Sequence, residues 1–217
     1  MRFFKLLSLK NLKDPKLLNK SVLSYSEEHF KNSKKIIKLL EEYKKILLFE
    51  NLNMNLIGKS TIDDFDQRHL LDCIQIHKYI KSFDGLIADI GSGAGLPGVI
   101  LSILGFKNVS LIEKSPKKSS FLNKCKSRLG LNFAVHNSLI EEIKTLNFDV
   151  IVARAFAPIS KIISVTKQIT DNKTNYILLK GKTYNTELKD LDLTKYIYHD
   201  YPSITSQEAR IICLNMK

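Results

Sequence analysis

The stretch Asp89-Ile90-Gly91-Ser92-Gly93-Ala94-Gly95-Leu96-Pro97-Gly98 decides the fold. It closes a short apolar run, residues 85–90, and leads into Val99-Ile100-Leu101. Its four glycines within eight positions allow tight turns and bring backbone N–H groups close to a ligand. A helix starting there would aim the positive end of its dipole at the same place. Further apolar runs follow at residues 108–113, 132–135, 148–152 and 175–179. Helical stretches of about 12 residues separate most of them, and that alternation means βαβ units and a parallel sheet covered on both faces. Residues 196–201 and 210–214 read as a closing pair of strands, which makes a seven-stranded, Rossmann-like α/β sheet. Open sheets of this kind bind ligands beyond the carboxyl ends of their strands. The chemistry is therefore expected after Ile90, Ile112, Val135, Val152 and Leu179.

Upstream of the sheet, residues 1–83 read as a helical extension to a domain spanning residues 84–217. Ile36, Leu40, Tyr43 and Leu47 recur at three- and four-residue spacing and make one apolar face. The polar stretch 51–55 ends that helix. A second helical pattern starts near Thr61 and Asp63, which offer N-cap chemistry, and runs to about residue 82.

The chain of 217 residues is 44% hydrophobic and 26% charged, enough to bury a core and unlike a disordered chain. No run approaches the ~18 apolar residues that a membrane span needs. Lys5 and Lys10 break any signal-peptide core, so the expected location is the cytoplasm, without membrane contact. Cys73, Cys125 and Cys213 show no CxxC spacing, so no metal site is expected and the thiols read as reduced. The net charge of +12 suggests a polyanionic partner, although only five of the 34 basic residues are arginine and a bias toward lysine would give the same sum. Placement says more. Residues 1–20 carry six basic side chains against Asp14, and residues 114–128 carry six with no acid.

The glycine loop has two readings. Residues 93–98 fit GxGxxG, a dinucleotide fingerprint that is weak when alone. The whole loop also resembles the D-x-G-x-G-x-G loop of adenosylmethionine-dependent methyltransferases. Asp89 favours the second reading, because a pyrophosphate gains nothing from a carboxylate there. Glu113, at the end of the second strand, suits the ribose of either cofactor. An NAD-dependent oxidoreductase therefore stays open at this point.

Several further motifs stand in order along the chain: Asn55-Leu56-Ile57, Arg68-His69-Leu70-Leu71-Asp72-Cys73, Gly95-Leu96-Pro97-Gly98, Glu113-Lys114-Ser115-Pro116-Lys117-Lys118, Arg154-Ala155-Phe156-Ala157 and Lys180-Gly181. From about residue 51 onward the chain resembles the RsmG (GidB) family of 16S ribosomal RNA guanine-N7 methyltransferases. The resemblance implies S-adenosyl-L-methionine as cofactor and transfer to guanine 527 of 16S rRNA, within the 30S subunit, by a monomer. It places Gly91, Leu96, Ile140, Glu141 and Arg154 at the cofactor, and the loop argument adds Asp89, Gly93, Gly95 and Glu113. Where the family usually carries an arginine shortly before the position of Glu141, this chain reads His136-Asn137-Ser138-Leu139.

Guanine N7 is a bare lone pair with no proton to remove, so transfer needs alignment and donors for the O6 edge. Arg154 and Lys180, at the ends of the fourth and fifth strands, are the candidate catalytic residues. A surface ion pair for Arg154 and an ordinary lysine at a strand end are the plainer accounts. Arg68, His69, Lys117, Lys124 and Arg128 are candidate RNA contacts. The last three share a helix face opposite Phe121, Cys125 and Leu129, and a merely solvated lysine face would look the same. His69 shares a face with Asp72 and reads equally as a structural histidine. A non-catalytic RNA-binding protein on the same fold is the remaining alternative.

Overall fold

A computed structural model describes residues 18–144 and 147–217. The basic run at the start of the sequence therefore lies outside the described residues, Lys20 excepted. The strands are β1 (Leu86–Ile90), β2 (Asn108–Ile112), β3 (Ala134–His136), β4 (Val150–Arg154), β5 (Asn175–Lys180), β6 (Tyr196–Pro202) and β7 (Arg210–Met216). They form one sheet in the order β3-β2-β1-β4-β5-β7-β6. Strands β1 to β5 pair in parallel, and β7 runs antiparallel to both β5 and β6. The chain order reverses between β1 and β4, so the ligand crevice opens there. The third strand lies later than the sequence run suggested, at 134–136 in place of 132–135.

Helices cover both faces. They are α1 (Lys20–His29), α2 (Ser33–Met54), α3 (Asp72–Ile74), α4 (Gly98–Leu104), α5 (Pro116–Leu129), α6 (Ile159–Thr166) and α7 (Tyr184–Lys189). Ile36, Leu40, Tyr43 and Leu47 are all buried, as their spacing requires. They join one apolar cluster with Val99, Leu101, Phe106 and Phe121, so the extension and this face of the sheet share a core. The other face packs Ile112, Ile151 and Leu178 against Ile159 and Ile162 of α6. The stretch 51–55 does end α2, but only after Met54, with Asn55 in the left-handed region at φ 48°.

The segment after α2 differs from the single helix expected. It runs as a 3₁₀ turn (Lys59–Thr61), a wide π-helical turn (Asp66–Leu71), the short α3 and a second 3₁₀ turn (Gln75–Tyr79). Thr61 is no N-cap, because its hydroxyl donates to the Gly58 carbonyl. The widening falls where the Arg68 carbonyl accepts a hydrogen bond from Arg154 of β4, and where His69 reaches both Arg154 and Thr61. Tertiary partners thus override the local α pattern, as π turns at functional sites often record.

Candidate active site

The cofactor side is built from backbone. Gly91, Gly93 and Gly95 all lie at positive φ, at 67°, 56° and 87°. A Cβ on Gly95 would come 2.4 Å from Val99, whereas one on Gly93 would meet nothing nearer than 3.8 Å. The loop continues the sheet, since the N–H groups of Gly91 and Ser92 donate to the Ile112 carbonyl. Two buried carboxylates pin it. Glu113 accepts from Gly93 N–H and Ser115 N–H at 2.8 Å each. Asp89 Oδ2 accepts from Gly98 N–H at 3.0 Å, so its charge sits at the start of α4, where the helix dipole favours it. Gly98 is obligatory there, because a Cβ would lie 2.7 Å from that oxygen. Tyr43 of α2 donates to the Ala94 carbonyl at 2.7 Å and ties the extension to the loop.

Burial pushes the Asp89 carboxyl up to about 7, against the lowering effect of the Gly98 N–H. Its Oδ1 is buried without a hydrogen-bond partner. A loop open at Gly93, a carboxylate pair and an orphaned buried oxygen fit a cofactor that carries hydroxyl donors and positive charge. Glu113 retains lone pairs for hydroxyls even with both oxygens engaged. Leu96 and Ile140 are buried near this end, whereas Glu141 is exposed. Ser138, in the stretch that lacks the family's arginine, has a buried hydroxyl without a partner.

The other side is built from side chains. Arg154, the last residue of β4, donates through its NH1 nitrogen to the Arg68 carbonyl at 2.9 Å and to Asp72 Oδ2 at 3.2 Å. Through its NH2 nitrogen it donates to His69 Nδ1 at 2.6 Å. A guanidinium only donates, so Nδ1 is the acceptor and the ring proton is on Nε2. That proton goes to Thr61 Oγ1 at 2.8 Å. Burial, followed by the guanidinium charges of Arg154 and Arg68, pushes the His69 imidazole down to about 3. His69 is therefore a neutral brace with both nitrogens in use.

Asp72 carries the network onward. Its Oδ1 accepts from Thr205 Oγ1 at 3.0 Å and from Gln75 Nε2 at 3.0 Å. Gln75 in turn bonds Ser203 and the Ile204 N–H, which fastens the β6–β7 loop to the extension. Lys180, the last residue of β5, donates to the Ala157 carbonyl at 2.5 Å and pairs with Glu187 Oε2 at 2.7 Å. Beside these groups opens a cavity of about 1050 Å³, lined among others by Arg68, Arg154, Phe156, Lys180, Thr205 and Arg210.

Of the sequence candidates, the structure brings Arg68, His69, Arg154 and Lys180 to this cavity. Asp89, Gly91, Gly93, Gly95 and Glu113 lie together in and under the loop. On the basic helix face Lys117, Lys124 and Arg128 are all exposed, and Lys124 also forms an ion pair with Glu50 of α2. The shared face of His69 and Asp72 is legible in the sequence, but their common partner Arg154 is not, and Phe156 stands in its motif without a role assigned.

Sheet order, glycine loop and acidic second strand define an S-adenosylmethionine-dependent methyltransferase. Solved structures share the fold. A ribosomal protein L11 methylase from Lactobacillus delbrueckii subsp. bulgaricus is 16% identical, with TM-score 0.57, covering 68% of this chain and 77% of that one. A variant of MtNAS in complex with S-adenosylmethionine is 18% identical, with TM-score 0.57, covering 90% and 84%. The chain belongs to the GidB family, rRNA small subunit methyltransferase G, whose profile matches residues 36–207. Curated relatives of that name are 39% identical over 181 residues in Orientia tsutsugamushi (strain Ikeda), covering 83% of this chain and 90% of the relative. In Rickettsia felis the figure is 37% over 182 residues, covering 82% and 93%. Family membership settles the glycine loop in favour of S-adenosylmethionine over a dinucleotide.

Proposed function

We propose that this protein methylates N7 of a guanine in 16S ribosomal RNA, guanine 527 by family resemblance, and acts as a monomer on the 30S subunit in the cytoplasm. The observation that carries the reading is Arg154, held by three partners in the lining of a large cavity next to the glycine loop. Among the described residues no helix is long and apolar enough to cross a membrane, and none group as ligands for a metal ion.

When bound, S-adenosylmethionine supplies an electrophilic methyl group on a sulfonium that departs as a neutral thioether. Gly91, Gly93 and Gly95 let the backbone approach it, and Glu113 accepts from its hydroxyls. Asp89 orders the loop from below and offers negative charge. The target nitrogen has no proton, so the remaining residues position the base. Arg154 spends three of its five donors on the protein and Lys180 two of its three, which leaves donors on both for the guanine O6 edge or a phosphate. Two strand ends and a braced network fix these donors before substrate arrives, and such preorganisation lowers the cost of alignment. Lys117 and Arg128 supply charge for the RNA backbone, which makes affinity fall with salt.

The test is methyl transfer from labelled S-adenosylmethionine to 30S subunits lacking the modification, followed by nucleoside analysis. Label in 7-methylguanosine at one site, lost in Arg154→Ala, is the expected result. Cofactor binding without any label in 30S subunits or free rRNA would overturn the reading in favour of a non-catalytic RNA-binding role.

A further inference from the structure

We infer that Phe156 is the platform on which the target guanine stacks, an inference that rests on the reading of an RNA substrate above. Phe156 is 39% exposed at the carboxyl end of β4, two residues beyond Arg154. It lines the same cavity as Arg154 and Lys180. Its other side lies over the cofactor loop, so closely that a Cβ on Gly91 would come 2.2 Å from Phe156 Cδ2. The ring thus sits at the wall between the glycine loop and the cavity, where the acceptor base has to approach the methyl group. Among the described residues no aromatic ring packs on it.

The backbone is bent to put it there. Ala155, immediately before it, has φ 50°, a left-handed conformation that an L-residue holds only when its surroundings impose it. The anchored neighbours supply that constraint: Arg154 is fixed by Arg68, His69 and Asp72, and the Ala157 carbonyl is held by Lys180. An apolar ring left exposed on a strained turn, in a cavity lined by hydrogen-bond donors of Arg68, Arg154, Lys180 and Arg210 as well as by carboxylates, suits a base taken out of its stack. Reaching a base inside folded RNA costs its stacking partners, and an aromatic side chain replaces them.

The chain contains no tryptophan, so Phe156→Trp introduces a single indole reporter. Its emission is followed while unmethylated 30S subunits are titrated in with S-adenosylhomocysteine present. In parallel, methyl transfer and S-adenosylmethionine affinity are measured for wild type, Phe156→Trp and Phe156→Leu. Stacking predicts quenching of the indole by the base and transfer by Phe156→Trp near the wild-type rate. It also predicts a loss of roughly ten- to a hundredfold in kcat/KM for rRNA in Phe156→Leu, with cofactor affinity unchanged. Unchanged emission at saturating 30S, or full transfer by Phe156→Leu, overturns the inference. So does a fall in cofactor affinity that accounts for the whole loss, because the ring would then merely cover Gly91. Quenching without any label from wild type would sink the methyl-transfer reading and leave the stacking intact, and label without quenching would do the reverse.

Discussion

The two halves of the crevice are made of different material. The cofactor half is ten consecutive residues plus Glu113, and it works through backbone N–H groups, glycine φ angles and two buried carboxylates. The cavity half draws Arg68, His69 and Asp72 from the extension, Arg154 and Lys180 from two strand ends, and Thr205 from the β6–β7 loop. The first tolerates few side chains. The second is mostly side chains, anchored in part on the carbonyls of Arg68 and Ala157 and braced across more than a hundred residues of sequence. A local device and an assembled one therefore meet at a single ring, Phe156.

The contrast breaks most visibly at Arg154. Arg154→Ala should lower methyl transfer by about 10²–10³-fold, the usual cost of a lost preorganised donor. It should also leave Asp72, whose side chain is 16% exposed, without its cation, at a cost of about 1–3 kcal/mol in denaturant unfolding. Wild-type turnover in that variant would remove the cavity half from the mechanism. On the other half, Gly91→Ala forces a Cβ into Phe156 at a positive φ, and overpacking of this kind costs about 1–3 kcal/mol. If the same strain falls on the binding loop, calorimetry should show S-adenosylmethionine affinity down by about five- to a hundredfold, since 1.4 kcal/mol is one decade. Adding Phe156→Ala should recover the part of the stability lost to the clash, though not the part lost to the positive φ, and should not recover rRNA turnover; recovery of turnover would dissolve the distinction between the halves.

A smaller effect separates the halves by pH. The His69 ring is held at about 3, below its ordinary 6.5. Its contribution is therefore present above pH 6.5 and is lost as pH falls from 6.5 toward 3, because the unfolded chain takes up the proton first. His69→Gln should flatten the fall in stability over that window by up to about 1.4 kcal/mol per pH unit, read from urea midpoints. Asp89 works in the opposite sense. Its carboxyl is raised from 3.8 to about 7, so its contribution is complete below pH 3.8 and is lost as pH climbs through 7. Asp89→Asn should gain on wild type in unliganded stability between pH 4 and pH 8, and a constant gap would contradict the burial argument. Least of all, Lys124→Ala should cost at most about 1 kcal/mol, as a half-exposed pair does. A reduced salt slope for 30S binding in that variant would mark Lys124 as an RNA contact alongside Lys117 and Arg128.

The same contrast explains what the sequence disclosed. The apolar runs, the glycine loop and Glu113 were legible because strand period, φ restrictions and the strand-end rule act within a few residues. All seven strands appear, with β3 and β4 each starting two residues later than their apolar runs. The covered face of α2 was legible from its spacing. The helix after Thr61 was misread, because Arg154, more than eighty residues away, reshapes it into a π turn. The ion pair of Lys124 was not legible, because Glu50 sits on another helix. The role of Asp72 and the place of Phe156 were not legible at all, since only folding brings those segments together.

The hydrogen bond from Tyr43 to the Ala94 carbonyl has a consequence for synthesis. On the ribosome α2 emerges well before its covering residues in α4 and α5 exist. At 5–20 residues per second, the roughly sixty residues from Leu47 to Phe106 take about 3–12 s to make. Throughout that interval Leu40, Tyr43 and Leu47 stand bare on a nascent helix, with no sheet to receive them. The apolar face of α2 is thus complete in sequence several seconds before the glycine loop that covers it exists.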